Sequence, residues 1–426
     1  MYAASHSVMA GHRSAMPVST TGRRRETNSL LKRRGDGRSM RGTVFGPDMS
    51  ARRIIDLSAR TLDRAPCLLD NPRSSSRRFE LSVPQASRPC RLESGFRLTL
   101  AEGVEEMWPD VRCPEDGLPL ARAQDGTTCE RGHHWSAQHG IPRMISRDVH
   151  YADAFGLQWR VYRRTQLDSH TGTTISLDRA RRCLGDACWT MLHSARRTDV
   201  LEVGCGAGRF TEVLLATGAF VTSVDLSSAV EANQDNFPQD GHHRVLQADV
   251  LRLPFGPAQY DVVFCLGVIQ HTPRPEATIE KLYAQVKPGG WLVIDHYTYN
   301  LSHFTKTAPL FRMILRRLPA ADGLRWTERL VTIFFPLHRA VRRHRFAQAL
   351  LSRVSPLSTF YHVFRLDDDL QRQWSLLDTH DALTDWYKHF RTQAQIRRAL
   401  EGLGAAEIWC AYGGNGVEAR CRRPPT

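Results

Sequence analysis

The run VLEVGCGAGRF, residues 200–210, constrains the fold more than any other part of the chain. An apolar strand passes directly into three glycines at alternating positions, Gly204, Gly206 and Gly208. Glycine tolerates backbone conformations that other residues avoid and lets main chain approach a ligand closely. The helix expected over 209–217 would present its free N–H groups to the same place. Short apolar runs then recur as FVTSVD, VLQAD, YDVVFCLG and GWLVID, each closing near a glycine, an aspartate or a polar loop. Helical stretches separate them, as over 275–286. Strands alternating with helices predict an α/β fold with a parallel sheet covered on both faces. In such a sheet ligands bind at the C-terminal ends of the strands, near the topological switch point.

The second strand ends in Asp225, seventeen positions after Gly208, where a carboxylate can accept both hydroxyls of a ribose. A dinucleotide fingerprint requires glycine at position 209, which is arginine here. The observed G-x-G-x-G, with Glu202 two residues before it, suits a cofactor without a pyrophosphate but with an ammonium and a carboxylate: S-adenosyl-L-methionine. Glu202 would then orient the loop or meet the positive amino-acid end, and Asp225 would take the ribose. Asp249, closing the strand of LQADVLRLPF, would meet the adenine amino group.

E-x-G-x-G-x-G, VDLS, ADVLRLPF, YDVVFCLGVIQHTP and VKPGGWLVID together resemble, in kind and order, the class I S-adenosylmethionine-dependent methyltransferases over residues 198–296. The resemblance implies a doubly wound, mostly parallel seven-stranded sheet. A C-terminal antiparallel hairpin, EIWCAY…VEARCR, would complete it, turning at Asn415-Gly416. The resemblance further implies cofactor contacts from Glu202, Gly204, Cys205, Gly206, Gly208, Asp225, Leu226, Asp249, Val250, Leu266 and Gly267. Cys205 is read as a small residue that fits, not as a nucleophile. FGLQWRVYRRTQLDS and GGNGVEARCRRP widen the likeness to a bacterial branch that joins a small Cys-containing ribbon to the catalytic domain.

Methyl transfer is an in-line displacement at an already activated carbon, so the protein supplies alignment, exclusion of water and sometimes a base. His271, in VIQHTP after the fourth strand, is the catalytic candidate, able to deprotonate a hydroxyl or amine. The competing reading is a loop histidine that shapes the pocket. Asp295 and His296, at the end of the fifth strand, are second candidates, with strand capping as their plainer role. Tyr151, Trp159 and Tyr162 would either enclose the cofactor or pack between two helices, and packing is the favoured reading.

Residues 113–135, CPEDGLPLARAQDGTTCERGHHW, have the spacing of a zinc ribbon with one cysteine missing. Cys113, Asp116, Cys129 and His133 form the candidate metal set, with His134 as a substitute ligand. Carboxylates are infrequent in structural zinc sites, so a remnant held by the packing of Pro114, Leu118, Leu120 and Trp135 is the favoured alternative. The missing thiolate also makes the segment poor support for an RNA substrate.

Six segments are expected. A disordered Arg-rich extension (1–106) precedes the degenerate ribbon (107–149) and a helical cap (150–197). The cofactor-binding core (198–296), an Arg-rich helical lid or substrate insertion (297–375) and a C-terminal helix with hairpin (376–426) follow. Residues 1–106 carry 18 Arg and 1 Lys against 11 Asp and Glu, within a formal net charge of +14 for the chain. A basic tail without interleaved aromatics is usually solvated, and Met107 offers an alternative start. Ten scattered cysteines fit a reducing cytosol. No signal-like segment opens the chain, and the apolar run 331–335 is too short to span a bilayer, so a cytoplasmic protein is expected.

The insertion holds nine arginines against Asp322 and Glu328 over 309–346. It reads as a lid, as an amphipathic surface touching a membrane peripherally, or as a phosphate-binding face for RNA. The leading expectation is methyl transfer to O, N or C of a small molecule that is saccharide-, lipid- or natural-product-like. An rRNA or tRNA methyltransferase and a non-catalytic cofactor-binding scaffold are the alternatives, and no DNA partner is expected.

Overall fold

The computed structural model describes residues 110–146, 151–299 and 305–425. The expected extension 1–106 and the alternative start at Met107 lie outside the described residues.

Four short strands come first: β1 (Leu120–Ala123), β2 (Gly126–Cys129), β3 (His134–Gln138) and β4 (Ile141–Met144). Three helices follow as α1 (Asp153–Val161), α2 (Asp168–Thr171) and α3 (Ile175–Leu192). The alternation read from the sequence then runs β5 (Asp199–Val203), α4 (Thr211–Leu215), β6 (Phe220–Asp225), α5 (Ala229–Asn236) and β7 (His243–Ala248). It continues with β8 (Tyr260–Cys265), α6 (Pro275–Gln285) and β9 (Val286–Tyr297). The insertion supplies α7 (Ala308–Leu315), α8 (Ala320–Ala340) and α9 (Arg345–Val354). After α10 (Asp368–Thr384) and α11 (Gln393–Gly402), the chain ends in β10 (Ala406–Gly413) and β11 (Gly416–Arg422).

All strands join one sheet in the order β1-β2-β3-β4-β7-β6-β5-β8-β9-β11-β10. From β4 to β9 every pairing is parallel, and β11 and β10 close that side antiparallel. Apolar residues on consecutive positions of the inner strands serve opposite faces, because side chains alternate across a strand. Leu201, Val263, Leu292 and Ile294 join α6 and α11 residues such as Leu282 and Leu400 on one face. Val200, Val262, Phe264 and Val293 join Leu184, Leu192 and Leu214 of α3 and α4 on the other. Each such buried side chain contributes roughly 1.5–3 kcal/mol relative to exposure. Truncating fully buried Leu201 to alanine would cost about 2–5 kcal/mol.

The sheet has eleven strands rather than the seven expected. The ribbon is fused to it, with β4 pairing parallel to β7 through Arg143↔Gln247 and Met144↔Ala248. IPRM covers what would otherwise be an open edge of the parallel sheet. Arg143 then anchors the join, donating to Gln247 Oε1 at 3.1 Å and Glu231 Oε1 at 2.9 Å. Two further boundaries differ from expectation. The closing hairpin turns at Gly414-Asn415, since Gly413 and Gly416 are paired. α10 runs across the expected division at 375 because its apolar face packs on α8, with Leu376 beside Leu324, Val331 and Phe335.

Candidate active site

A cavity of about 1050 Å³ opens at the C-terminal ends of the parallel strands. Its floor comes from residues that end successive strands: Gly204 after β5, Asp225 and Leu226 at β6, Ala248 and Val250 at β7, Leu266 and Gly267 at β8. Helices α1, α7, α9 and α10 supply further lining residues, so part of the expected insertion borders the site.

The glycine loop is shaped by close neighbours. Gly204 has φ +77°, and a Cβ there would stand 2.0 Å from Val268 Cγ2. Gly206 (φ +52°) leaves room for the Trp159 indole, which a Cβ would meet at 3.3 Å. The Gly206 N–H donates to Asp225 Oδ2 at 3.0 Å, while Ser227 N and Oγ donate to Oδ1 at 2.8 and 2.7 Å. These bonds fix the carboxylate at the cavity wall, and burial raises its pKa.

The two other acids expected at the cofactor sit behind this surface. Glu202 accepts from Thr211 Oγ1 at 2.6 Å and Ser223 Oγ at 2.9 Å and is absent from the cavity wall. That geometry suits its role in orienting the loop and not contact with an ammonium. Burial pushes its carboxyl up to about 7. Asp249 caps the turn 250–252 by accepting from Leu251 N at 2.9 Å, leaving Ala248 and Val250 to face the cavity. Cys205 lines the wall, Gly208 does not, and burial drives the Cys205 thiol well up.

His271 lines the cavity and is only 7% exposed. Its Nδ1 donates to the Tyr387 carbonyl at 3.2 Å with Asp385 Oδ2 3.3 Å away, and its Nε2 has no hydrogen-bond partner. That tautomer leaves the Nε2 lone pair buried and free of a hydrogen bond, with Asp381 Oδ1 at 4.0 Å. Burial alone would lower the His271 pKa, but the carboxylates of Asp381 and Asp385 outweigh it and the net shift is upward. Phe155 and Tyr297 meet the ring edge-on at 5.3 and 5.2 Å.

Sequence reasoning missed the acidic face of α10. Asp378 and Asp381 line the cavity, and Asp385 stands one turn further on beside His271. Lys388 Nζ (3.0 Å), His271 and Arg312 Nε (2.5 Å) together outweigh burial and bring Asp385 down to about 2. Asp378 goes the other way, up to about 7, through burial and the neighbouring Asp381. The signal was D-x-x-D-x-x-x-D, one helical stripe within DTHDALTD. Arg179 and Arg209 were missed too and line the cavity beside the glycine loop.

Asp295 and His296 are both absent from the cavity wall. Asp295 accepts from Arg179 and from Gly267 N (2.6 Å), which ties the end of β9 to the loop after β8. His296 bonds the Tyr297 carbonyl at 2.8 Å, and burial lowers it to about 4. Of the aromatic trio, Tyr151 and Trp159 line the cavity, whereas Tyr162 packs between helices and donates to Glu328 at 3.0 Å.

The ribbon residues converge separately. The ligand atoms of Cys113, Asp116, Cys129 and His133 all lie within 4.8 Å of one another. His133 Nδ1 is 3.0 Å from Asp116 Oδ2, 3.5 Å from Cys113 Sγ and 3.4 Å from Cys129 Sγ. His134 turns away, pairing with Asp125 at 3.1 Å.

Glycine loop, Asp225 carboxylate and strand-end cavity come together in one site. The family profile described as "Methyltransferase domain" matches residues 201–294, so the middle of this chain is such a domain. The chain is 31% identical over 125 residues to the ubiquinone biosynthesis O-methyltransferase of Leptothrix cholodnii, covering 28% of this chain and 53% of that protein. It is 33% identical over 124 residues to the protein of the same name from Pseudomonas entomophila, again 28% and 53% of the two. The chain thus spans about half the length of the curated relatives it matches. Among solved structures, a SAM-dependent methyltransferase from Methanosarcina mazei aligns with TM-score 0.32 and 13% identity, covering 56% of this chain and 97% of that one.

Proposed function

We propose that this chain is an S-adenosylmethionine-dependent methyltransferase acting on a small-molecule acceptor, built on the seven-stranded class I core of β5–β11. The observation that carries the reading is one cavity lined by the glycine loop, Asp225 and His271, whose Nε2 has no hydrogen-bond partner. The residues present fit the cofactor. Asp225 would hold the ribose, Leu226 and Val250 would flank the adenine, and Arg179 and Arg209 would face the carboxylate. When bound there, S-adenosylmethionine supplies the activated methyl carbon.

His271 does the proton chemistry. Its Nδ1–H is oriented by Tyr387 and Asp385, and Nε2 receives the proton from an acceptor hydroxyl. The relatives are named O-methyltransferases, and a base is needed most where the nucleophile is a hydroxyl, so oxygen is the favoured acceptor atom. A cavity lined on several sides by helices suits a small molecule better than a folded RNA. The test is transfer of labelled methyl from the cofactor in a cell extract sorted into RNA, protein, lipid and small-molecule fractions. Label in small molecules or lipids supports the reading, and label in RNA or none overturns it. Asp225→Ala should weaken cofactor binding measured by calorimetry, and unchanged affinity would remove the ribose assignment.

We also propose that Cys113, Asp116, Cys129 and His133 bind zinc. A tetrahedral site with bonds of about 2.0–2.3 Å has ligand–ligand edges of about 3.3–3.8 Å. Four of the six separations are 3.0–3.5 Å, close to those edges, and every pair lies within 4.8 Å. Metal analysis of the purified chain should find zinc at a stoichiometry near one, and its absence would restore the remnant reading.

A further inference from the structure

Helices α7 and α9 expose apolar stripes that nothing among the described residues covers. On α7 these are Leu310, Met313 and Ile314, and on α9 Phe346, Leu350 and Val354, from 56% to 84% exposed. The spacings, i, i+3, i+4 and i, i+4, i+8, put each set on one side of its helix. Both helices are almost wholly at the surface, with only Leu315 buried in the first and Gln348 in the second. They are tied together where Thr307 N and Oγ1 donate to the carbonyls of Arg353 (3.0 Å) and Val354 (2.6 Å).

The same two helices form the outer wall of the active-site cavity. Arg312 and Met313 of α7, Arg316 at its C-terminal end, and Arg345, Gln348 and Ser352 of α9 line it. Met313 belongs to both surfaces, being cavity-lining and 56% exposed. Val363, also cavity-lining, is 67% exposed and continues the apolar rim. Residues 308–354 hold ten arginines against Asp322 and Glu328. Arg325 engages Asp322, and Tyr162 engages Glu328. Exposed Arg343, Arg345 and Arg353 have no carboxylate partner among the described residues.

We propose that α7 and α9 seat the protein on an anionic membrane surface, and that the methyl acceptor enters the cavity from the bilayer as an amphipathic, membrane-dissolved molecule. Aliphatic stripes bordered by arginine are the pattern of a helix lying in the interface, apolar side chains among the acyl chains and cations at the headgroups. RNA would use the arginines but leave Leu310, Ile314 and Leu350 in water, and Phe346 alone on these stripes offers a base a stacking surface. A second copy docked by a twofold axis would bring two arginine-rich faces together. The inference takes the cavity's role from the methyltransferase reading, and vesicle binding can be measured whether or not methyl transfer occurs.

The test is co-sedimentation of the full chain with phosphatidylcholine vesicles and with vesicles also containing phosphatidylglycerol. Binding should be confined to the anionic vesicles and weaken with salt. Residues 1–106 are themselves basic, so the decisive comparison is with Phe346→Ser/Leu350→Ser, neither of which lines the cavity. That variant should lose binding by about tenfold or more while keeping cofactor affinity and melting temperature. Arg343→Gln/Arg353→Gln should lose about tenfold through charge alone. Unchanged vesicle binding in the serine variant overturns the proposal. So does an RNA complex lost in the arginine variant with no vesicle binding, or a dimer that the serine variant dissociates.

Discussion

Glu202 and Asp385 are both buried carboxylates, yet their surroundings push them in opposite directions. Glu202 has only the hydroxyls of Thr211 and Ser223 to offset burial and is raised to about 7. Asp385 has Lys388, His271 and Arg312 and falls to about 2. The sign for Glu202 follows from linkage. Stability is undiminished below its unfolded value of about 4.3 and is lost as pH rises through about 7. Glu202→Gln does not titrate, so it should gain on the parent by roughly 3 kcal/mol between pH 4 and 8. Urea unfolding across that range would measure it, and a difference independent of pH would show that Glu202 is not raised. For Asp385 the sense is reversed, with its contribution present at neutral pH and lost only as pH falls toward about 2.

The same residues set the pH profile of catalysis. A base must be neutral, and His271 is shifted above its ordinary 6.5, so kcat/KM should rise with pH along a limb lying above that value. Asp385→Asn removes one of the groups that raise it, so the limb should move to lower pH while kcat falls through lost orientation of Nδ1. His271→Ala should cost about 10²–10³-fold in kcat with cofactor affinity kept. A variant that retains full turnover leaves His271 as a wall residue only.

At the scale of elements, the glycine loop was legible and the acidic face of α10 was not, for physical reasons. A strand running into alternating glycines is a local pattern, since the left-handed turn it encodes depends on the loop's own backbone. The same locality made Asp225 readable as a strand-end carboxylate. Asp378, Asp381 and Asp385 sit instead on a helix whose charges would ordinarily be solvated. Only the packing of α10 against α7 and α8 buries them and brings Asp381 and Asp385 to His271. The ribbon's register against β7 depended in the same way on a partner strand a hundred residues away. Two glycines test the local part. Gly204 and Gly218 both have left-handed φ, +77° and +83°, but only Gly204 has a neighbour where a Cβ would go. Changing Gly218 to alanine should cost about 1 kcal/mol, the backbone term alone. Gly204→Ala should cost about 2–4 kcal/mol and weaken cofactor binding, because Val268 must move into the cavity. Equal costs by denaturant unfolding would remove the packing argument.

For the whole molecule, the question is whether the ribbon is an appendage or part of one folding unit. Its strand β4 extends the central sheet, and Arg143 is buried in bonds to Glu231 and Gln247 on α5 and β7. Cys113, Cys129 and Trp135 belong to the same apolar core as Leu201 and Ile294. Arg112 N donates to the Pro254 carbonyl at 2.8 Å, and Arg252 pairs with Glu115 at 2.8 Å, so the join is held at several points. A metal bound by Cys113, Asp116, Cys129 and His133 would therefore stabilise the sheet as well as the ribbon, since its binding energy is folding energy. Removing zinc with a chelator, or replacing Cys129 by alanine, should lower the melting temperature of the main transition by about 5–10 °C, corresponding to roughly 2–4 kcal/mol. The loss should appear in one cooperative transition. A separate low-temperature transition for the ribbon, with the main one unmoved, would show that β4 pairs with β7 without sharing its stability. A chelator that moves neither transition, with no zinc found on the purified chain, would mean that the four side chains are held by their mutual hydrogen bonds alone.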